Sequence, residues 1–194
     1  MNKRDIFHTS RILSLAAAMS LLWVSAAAAQ TTLITDGFED GGTDGWGNFG
    51  AATVANTTAD AHSGSHSLQI TARGASYAGP SLDLTSQLVP GATYQFSVWL
   101  ELLPNQTVSS LALSMTMKRT PSGGSAQYDG IGTATATDSS WVQLSGQYSF
   151  AGSVSGLTLY IQNANGGDPL ESFYIDDFVL TETAGPPNPG TQDN

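Results

Sequence analysis

Across residues 33–183 the chain alternates short apolar or β-branched runs with clusters of Gly, Ser, Asn and Asp. Successive side chains on a strand point to opposite faces, so runs of this kind bounded by turn residues predict strands. Helical periodicity is hard to find. Strands are predicted over residues 67–72, 93–102, 110–118, 132–137, 142–150, 157–162 and 173–181. In the second of these, Tyr94, Phe96, Val98 and Leu100 fall on one face and Thr93, Gln95, Ser97 and Trp99 on the other. One face is built for a core and the other is wetter. Turn signals recur about every ten residues, most plainly at Pro90-Gly91, Pro121 to Gly124 and Asn165 to Asp168. No internal repeat of fixed period marks a solenoid or propeller. The pattern predicts an all-β fold, a two-sheet β-sandwich or jelly roll in a single domain.

The two ends read differently. Lys3, Arg4 and Arg11 lead into a mostly apolar run from Ile12 to Val24, followed by the small residues 25–29. That is the layout of a secretion signal, too short to span a bilayer and ending in cleavable alanines, so residues 1–30 are assigned to it. Residues 31–183 are the folded module. Residues 184–194 hold three prolines and no apolar pattern, which suits a linker or tail. No later segment is apolar enough to span, so the mature chain is expected to be secreted, extracellular or periplasmic, with no membrane association once the signal is removed.

Removing the signal leaves three basic residues, Arg73, Lys118 and Arg119, against fifteen carboxylates, a charge of −12. Such a balance excludes nucleic acid, whose phosphates need a basic stripe, and suits a neutral partner. Cysteine is absent, so neither disulfides nor thiolate catalysis is available.

Catalytic machinery is also missing from the pattern. The mature chain has only His62 and His66, and neither Gly-x-Ser-x-Gly nor His-Glu-x-x-His occurs. Both histidines lie in a serine-rich turn and read as exposed turn residues rather than zinc ligands. Glycoside hydrolysis needs two carboxylates, one of them desolvated, but most acids here fall in Gly-rich loops. Glu101, Asp176 and Asp177, inside or at the end of strong strands, suit structural roles. The clusters Asp36-Gly37-Phe38-Glu39-Asp40 and Asp176-Asp177 offer the hard oxygens that calcium takes, outside EF-hand spacing; solvated turn acids are the alternative. Tyr77, in the glycine-bracketed loop from Arg73 to Pro80, and Tyr128, at a strand entrance, are flat rings on which a pyranose could stack. The alternative is that both are ordinary edge tyrosines, which the pattern alone favours.

Taken in order, Phe38-Glu39-Asp40-Gly41 with Gly45-Trp46, the stretch from His62 to Leu68, Arg73, Gly79-Pro80-Ser81-Leu82-Asp83-Leu84 and Tyr174-Ile175-Asp176-Asp177-Phe178 resemble carbohydrate-binding modules. Their order and spacing are most similar to family 22, within the group that includes families 4 and 9. The resemblance implies a jelly roll with a structural calcium and an open cleft across one sheet. It implies calcium ligation by the Glu39 and Asp176 side chains, with carbonyls of Gly37, His62 and Ser65 completing the shell. In the cleft, it sets Tyr77 where members carry tryptophan and Tyr128 on the sugar-binding face. Gln162 stands where a glutamate is typical and Phe49 where an arginine is often found, and Arg73 joins this candidate set.

The expected function is non-catalytic binding of plant cell-wall β-glycan, xylan or less often mixed-linkage β-glucan, beside a tethered or co-secreted xylanase. Two alternatives stay open. The Pro-rich end suits the amino-terminal module of a longer glycoside hydrolase, while Gln162 and Phe49 suit a sandwich that has lost sugar binding and serves surface interactions.

Overall fold

The structure is a computed structural model that describes residues 30–167 and 169–183. The expected tail, and the expected signal apart from Gln30, lie outside the described residues. Eleven strands and no helix make up the described part: β1 (Gln30–Asp36), β2 (Gly47–Phe49), β3 (Thr53–Thr57), β4 (Ser67–Thr71), β5 (Gly79–Asp83), β6 (Thr93–Leu102), β7 (Ser110–Pro121), β8 (Gln127–Thr137), β9 (Val142–Ser149), β10 (Val154–Asn163) and β11 (Phe173–Thr183). The seven strands expected from the pattern are all present, several of them longer.

All pairings are antiparallel, in two sheets. The first runs β3-β4-β11-β6-β9 with β1 also on β11, and the second runs β2-β5-β10-β7-β8. The chain crosses repeatedly from one sheet to the other, the winding expected of a jelly roll. Alternation along each strand supplies the core between them. Phe96, Val98 and Leu100 from β6 meet Leu113, Met115 and Met117 from β7 and Leu157, Leu159 and Ile161 from β10, all of them fully buried. Each such side chain contributes about 1.5–3 kcal/mol by leaving water. Tyr94 belongs to the same face, and its hydroxyl accepts the Val89 N–H at 2.7 Å.

Strand β11 organises one end of the molecule. Its first residues, Phe173 to Ile175, pair with β4, whereas Phe178 to Thr183 pair with β1 along the same edge. The register slips between Asp176 and Val179, and Asp177 takes a positive φ of 46° there. A bulge of this kind turns side chains out of the ladder. It aims two adjacent carboxylates at the gap where β1 ends and β4 begins. Among the described residues, no helix is long and apolar enough to cross a membrane.

Candidate functional site

The outer face of the second sheet is set by the same alternation that builds the core. Residues 114, 116 and 118 of β7 and 158, 160 and 162 of β10 point away from the buried Leu113, Met115, Met117, Leu157, Leu159 and Ile161. Register places Gln162 opposite Ser114, Tyr160 opposite Thr116 and Thr158 opposite Lys118. On the other side of β7, Thr116 faces Gly130 and Lys118 faces Tyr128. A register shift in β8 beside Gly130 marks a bulge. Gly130 has no side chain and opens the floor, leaving a cleft of about 450 Å³ lined by Ser114, Thr116, Tyr128, Gly130, Thr133 and Gln162 among others. Among the described residues, no carboxylate lines it.

The cleft is wet and aromatic at once. Gln162 donates to the Thr116 hydroxyl at 3.1 Å, which fixes its amide while leaving the carbonyl free. Four rings run across the face. Tyr128 meets Tyr160 edge-on at 6.5 Å, Tyr160 stacks under Phe49 at 4.1 Å and 17°, and Phe49 meets Tyr77 edge-on at 6.4 Å. Tyr77 and Tyr128 are 53% and 59% exposed, whereas Tyr160 is buried. Tyr128 lines the cleft, and Tyr77 stands at the other end of the ring strip; rings this exposed offer flat faces to a sugar. The sequence reading missed Tyr160, though its place two residues before Gln162 sets both on one face.

Phe49 ends β2 and pairs with Gly79 of β5. The stretch from Arg73 to Pro80, expected as a loop, thus closes into a strand at Gly79. Gly79 and Pro80 are usual turn residues, but a Cβ at Gly79 would collide with the Ile161 carbonyl, so close strand approach requires glycine here.

Arg73 is placed behind this surface, not on it. It is buried, and its guanidinium donates to Ala78 O at 2.7 Å, Glu171 O at 3.0 Å, Ser76 O at 3.1 Å and Asn163 Oδ1 at 2.8 Å. It also lies 5.1 Å from the centre of the Phe173 ring. Burial pulls its pKa down to about 10, against the opposing field of Glu171. A guanidinium with its donors committed in this way cannot reach a ligand; it holds the loop that presents Tyr77.

The expected metal ligands gather at the β11 bulge. Asp176 is fully enclosed and accepts the His62 and Ser63 N–H groups at 2.8 and 3.2 Å and that of Asp177 at 2.7 Å. Glu39, from the other side, accepts the Ser65 and His66 N–H groups at 3.0 and 2.9 Å. Both carboxylates therefore clasp one turn. Gly64 makes room for it, since a Cβ there would collide with the Glu39 carboxylate. Gly37 lies against Asp177, whose Oδ1 would be 3.6 Å from a Cβ at that glycine. Desolvation holds the Asp176 carboxyl above its ordinary pKa despite its amide bonds, while the Ser65 and His66 amides hold Glu39 below its own. Asp176 and Glu39 offer the hard oxygens that calcium takes, but the backbone groups set against both carboxylates are N–H donors. Among the described residues no group of three or more His, Cys, Asp or Glu side chains could hold a metal. A site here would need the carbonyls.

The two histidines are not the exposed turn residues expected. His62 lies flat on Trp99 at 3.9 Å and 14°, with Nδ1 at 2.6 Å from Asp177 Oδ2, and His66 meets Asn56 Oδ1 at 2.6 Å. His62 thereby covers the aromatic group of Trp99 and Tyr174 on the first sheet and Trp141 just before β9. A second hollow of about 560 Å³ lies beyond Gly130, but its Asp129 is already shared between Arg119 Nε and the Tyr148 hydroxyl, each at 2.9 Å. The cleft over β7, β8 and β10 is left as the surface with unspent polar groups beside open rings.

Comparison with known proteins agrees with this geometry. The model of a carbohydrate binding domain family matches residues 30–168. The chain is 34% identical over 168 residues to endo-1,4-β-xylanase C of Paenibacillus barcinonensis, covering 86% of this chain and 15% of that enzyme. It is 36% identical over 149 residues to endo-1,4-β-xylanase A of Thermotoga maritima, covering 75% and 13%. Among solved structures, the CBM22-1 xylan-binding domain of P. barcinonensis Xyn10C aligns with a TM-score of 0.75 at 31% identity, over 83% of this chain and 100% of that one. The C-terminal family 22 carbohydrate binding module of Clostridium thermocellum Xyn10B aligns with a TM-score of 0.70 at 29% identity, over 79% and 95%. The chain thus spans a small part of the xylanases but the whole of a xylan-binding domain. It belongs to the carbohydrate binding domain family, with the family 22 modules.

Proposed function

We propose that this chain binds plant cell-wall β-glycans, xylan first among them and mixed-linkage β-glucan second, on the outer face of β8, β7 and β10, and carries out no reaction on them. The observation that carries this reading is the open cleft, with the exposed Tyr128 at its wall, hydroxyl and amide groups on its floor and a strip of rings leading from it to Tyr77, on a member of a carbohydrate-binding family. Sugars are held by this combination, the ring stacking on the pyranose C–H face while side chains bond the hydroxyls. Tyr77, Tyr128 and Gln162 are the contacts, Phe49 and Tyr160 support the rings, and Arg73 positions the Tyr77 loop. Glycoside hydrolysis would need two carboxylates at the sugar, and the described residues lining the cleft include none.

The names of the relatives support a xylanase as companion, tethered or co-secreted, and the leading apolar segment supports secretion. Calcium is proposed at Glu39 and Asp176 with the carbonyls of Gly37, His62 and Ser65. When bound it would neutralise the enclosed Asp176 and tie the end of β1 to the start of β4. Affinity electrophoresis of the chain in gels containing xylan, mixed-linkage glucan or cellulose tests the function. Retardation by xylan is expected. No retardation by any β-glycan overturns the reading, and calcium-dependent melting with no glycan binding would leave the sugar-silent interaction module in its place.

A further inference from the structure

The chain carries a net charge of −10, and outside the leading apolar segment only Arg73, Lys118 and Arg119 are basic. Their placement is unequal. Arg73 is interior and makes four hydrogen bonds there, and Arg119 is paired with Asp129 at 2.9 Å. Lys118 stands on the sugar face, in the row that runs Asp83, Thr158, Lys118, Tyr128 across β5, β10, β7 and β8. Its ammonium sits 5.6 Å from the centre of the Phe49 ring, inside cation–π range, so the aromatic strip that would hold the sugar also holds the cation.

Among the described residues, no carboxylate lies within 4.0 Å of that ammonium. The acids nearest in the sheet are occupied elsewhere. Asp83, two strands away, accepts the Thr85 N–H and hydroxyl, and Asp129, next to Tyr128, is held by Arg119 and Tyr148. Among the described residues, Lys118 is thus the cation without a carboxylate or hydrogen-bond partner, and it stands beside the sugar cleft. A neutral glycan gains little from an ammonium that a hydroxyl would not give, whereas a carboxylate gains a charge-assisted bond. The glycan backbone must still be neutral, since it lies on rings and since the overall field repels a polyanion.

We propose that the cleft prefers a neutral β-glycan backbone that carries uronic-acid side groups, with Lys118 as the residue that meets the uronate carboxylate. This rests on the sugar-binding reading above and specifies its ligand. An exposed pair of this kind is worth about a two- to fivefold preference, and salt screens it.

The test measures dissociation constants of the full chain for three ligands: xylohexaose, the same backbone with one glucuronic-acid side group, and that ligand with its carboxyl reduced to an alcohol. Parent, Lys118→Gln and Lys118→Arg proteins are compared at low salt and at about 0.2 M salt. The acidic ligand is expected to bind the parent about two- to fivefold tighter than its reduced form at low salt. That advantage should vanish in Lys118→Gln, shrink at higher salt and persist in Lys118→Arg, with xylohexaose affinity within about twofold throughout. Equal binding of the acidic and reduced ligands, or an advantage that survives Lys118→Gln, overturns the proposal while xylohexaose binding keeps the sugar-binding reading. Failure of all three ligands to bind overturns both.

Discussion

Gly130 offers a way to close the cleft without disturbing the fold. It lies in β8 opposite Thr116 with the cleft on its free side, and a Cβ added there meets no heavy atom within 4 Å. Its φ lies outside the left-handed region, so a side chain brings no backbone strain. In Gly130→Val the new side chain projects over the floor between Tyr128 and Gln162. Valine is a better strand former than glycine, and the strand-propensity scale spans about 1 kcal/mol, so the variant should melt at the parent temperature or about 2–4 °C above it. Binding should move the other way. A sugar lifted off the floor loses one stacking contact, about 1 kcal/mol, and one hydrogen bond, about 1 kcal/mol, together roughly thirtyfold in affinity. Titration calorimetry with xylohexaose, run beside thermal melts followed by near-UV circular dichroism, separates the two effects. Gly130→Ala should fall between parent and valine. If Gly130→Val binds xylohexaose as tightly as the parent, or weakens only as far as its melting temperature drops, the cleft is not the sugar site.

Three further outcomes follow from the same geometry. Tyr77→Ala should weaken xylohexaose binding about tenfold with an unchanged melt, since a half-exposed loop ring contributes little to the core, and Tyr77→Trp should strengthen binding by enlarging the platform; parallel titrations and melts check both. Arg73→Met should cost about 3 kcal/mol by leaving the Ala78 and Glu171 carbonyls without their donor, read as a lower midpoint in urea, and weaken sugar binding through the Tyr77 loop. Chelation should lower the melting temperature of the parent by about 5–10 °C relative to calcium at a hundred times its dissociation constant, and Glu39→Ala should melt alike with calcium or chelator; an identical parent melt in both conditions removes calcium from the β11 bulge.

How far the sequence could be read depended on what each segment does with its side chains. Strands with strong alternation, such as β6 and β10, were legible because every second residue is buried. Strands β1, β2, β3 and β5 were not. The first is mostly exposed, the third has no fully buried residue and both are rich in threonine, β2 has three residues, and β5 opens with Gly79-Pro80, the usual mark of a turn. Nothing local says that Gly79 is there to let the Ile161 carbonyl approach. At the site, the block order located Tyr77, Tyr128, Phe49 and Gln162, and the register then brought Tyr128 and Gln162 together at one cleft, with Phe49 and Tyr77 joined to it through Tyr160. The same order marked Arg73 but could not tell a ligand contact from a buried brace, because that depends on carbonyls ninety or more residues away. His62 likewise gave no sign of Trp99, its stacking partner from another strand.

The most direct test of sugar binding on the second sheet is a map of backbone amide shifts in ¹⁵N-labelled protein as xylohexaose is added. Saturable shifts should cluster at Ser114, Thr116, Tyr128, Gly130 and Gln162, with a smaller group at Phe49 and Tyr77. Trp99 and Tyr174, on the opposite sheet, and the neighbouring Trp141 should stay where they are. Shifts that cluster around Trp99 and Trp141, or an unchanged spectrum at saturating sugar, would contradict the assignment of this face.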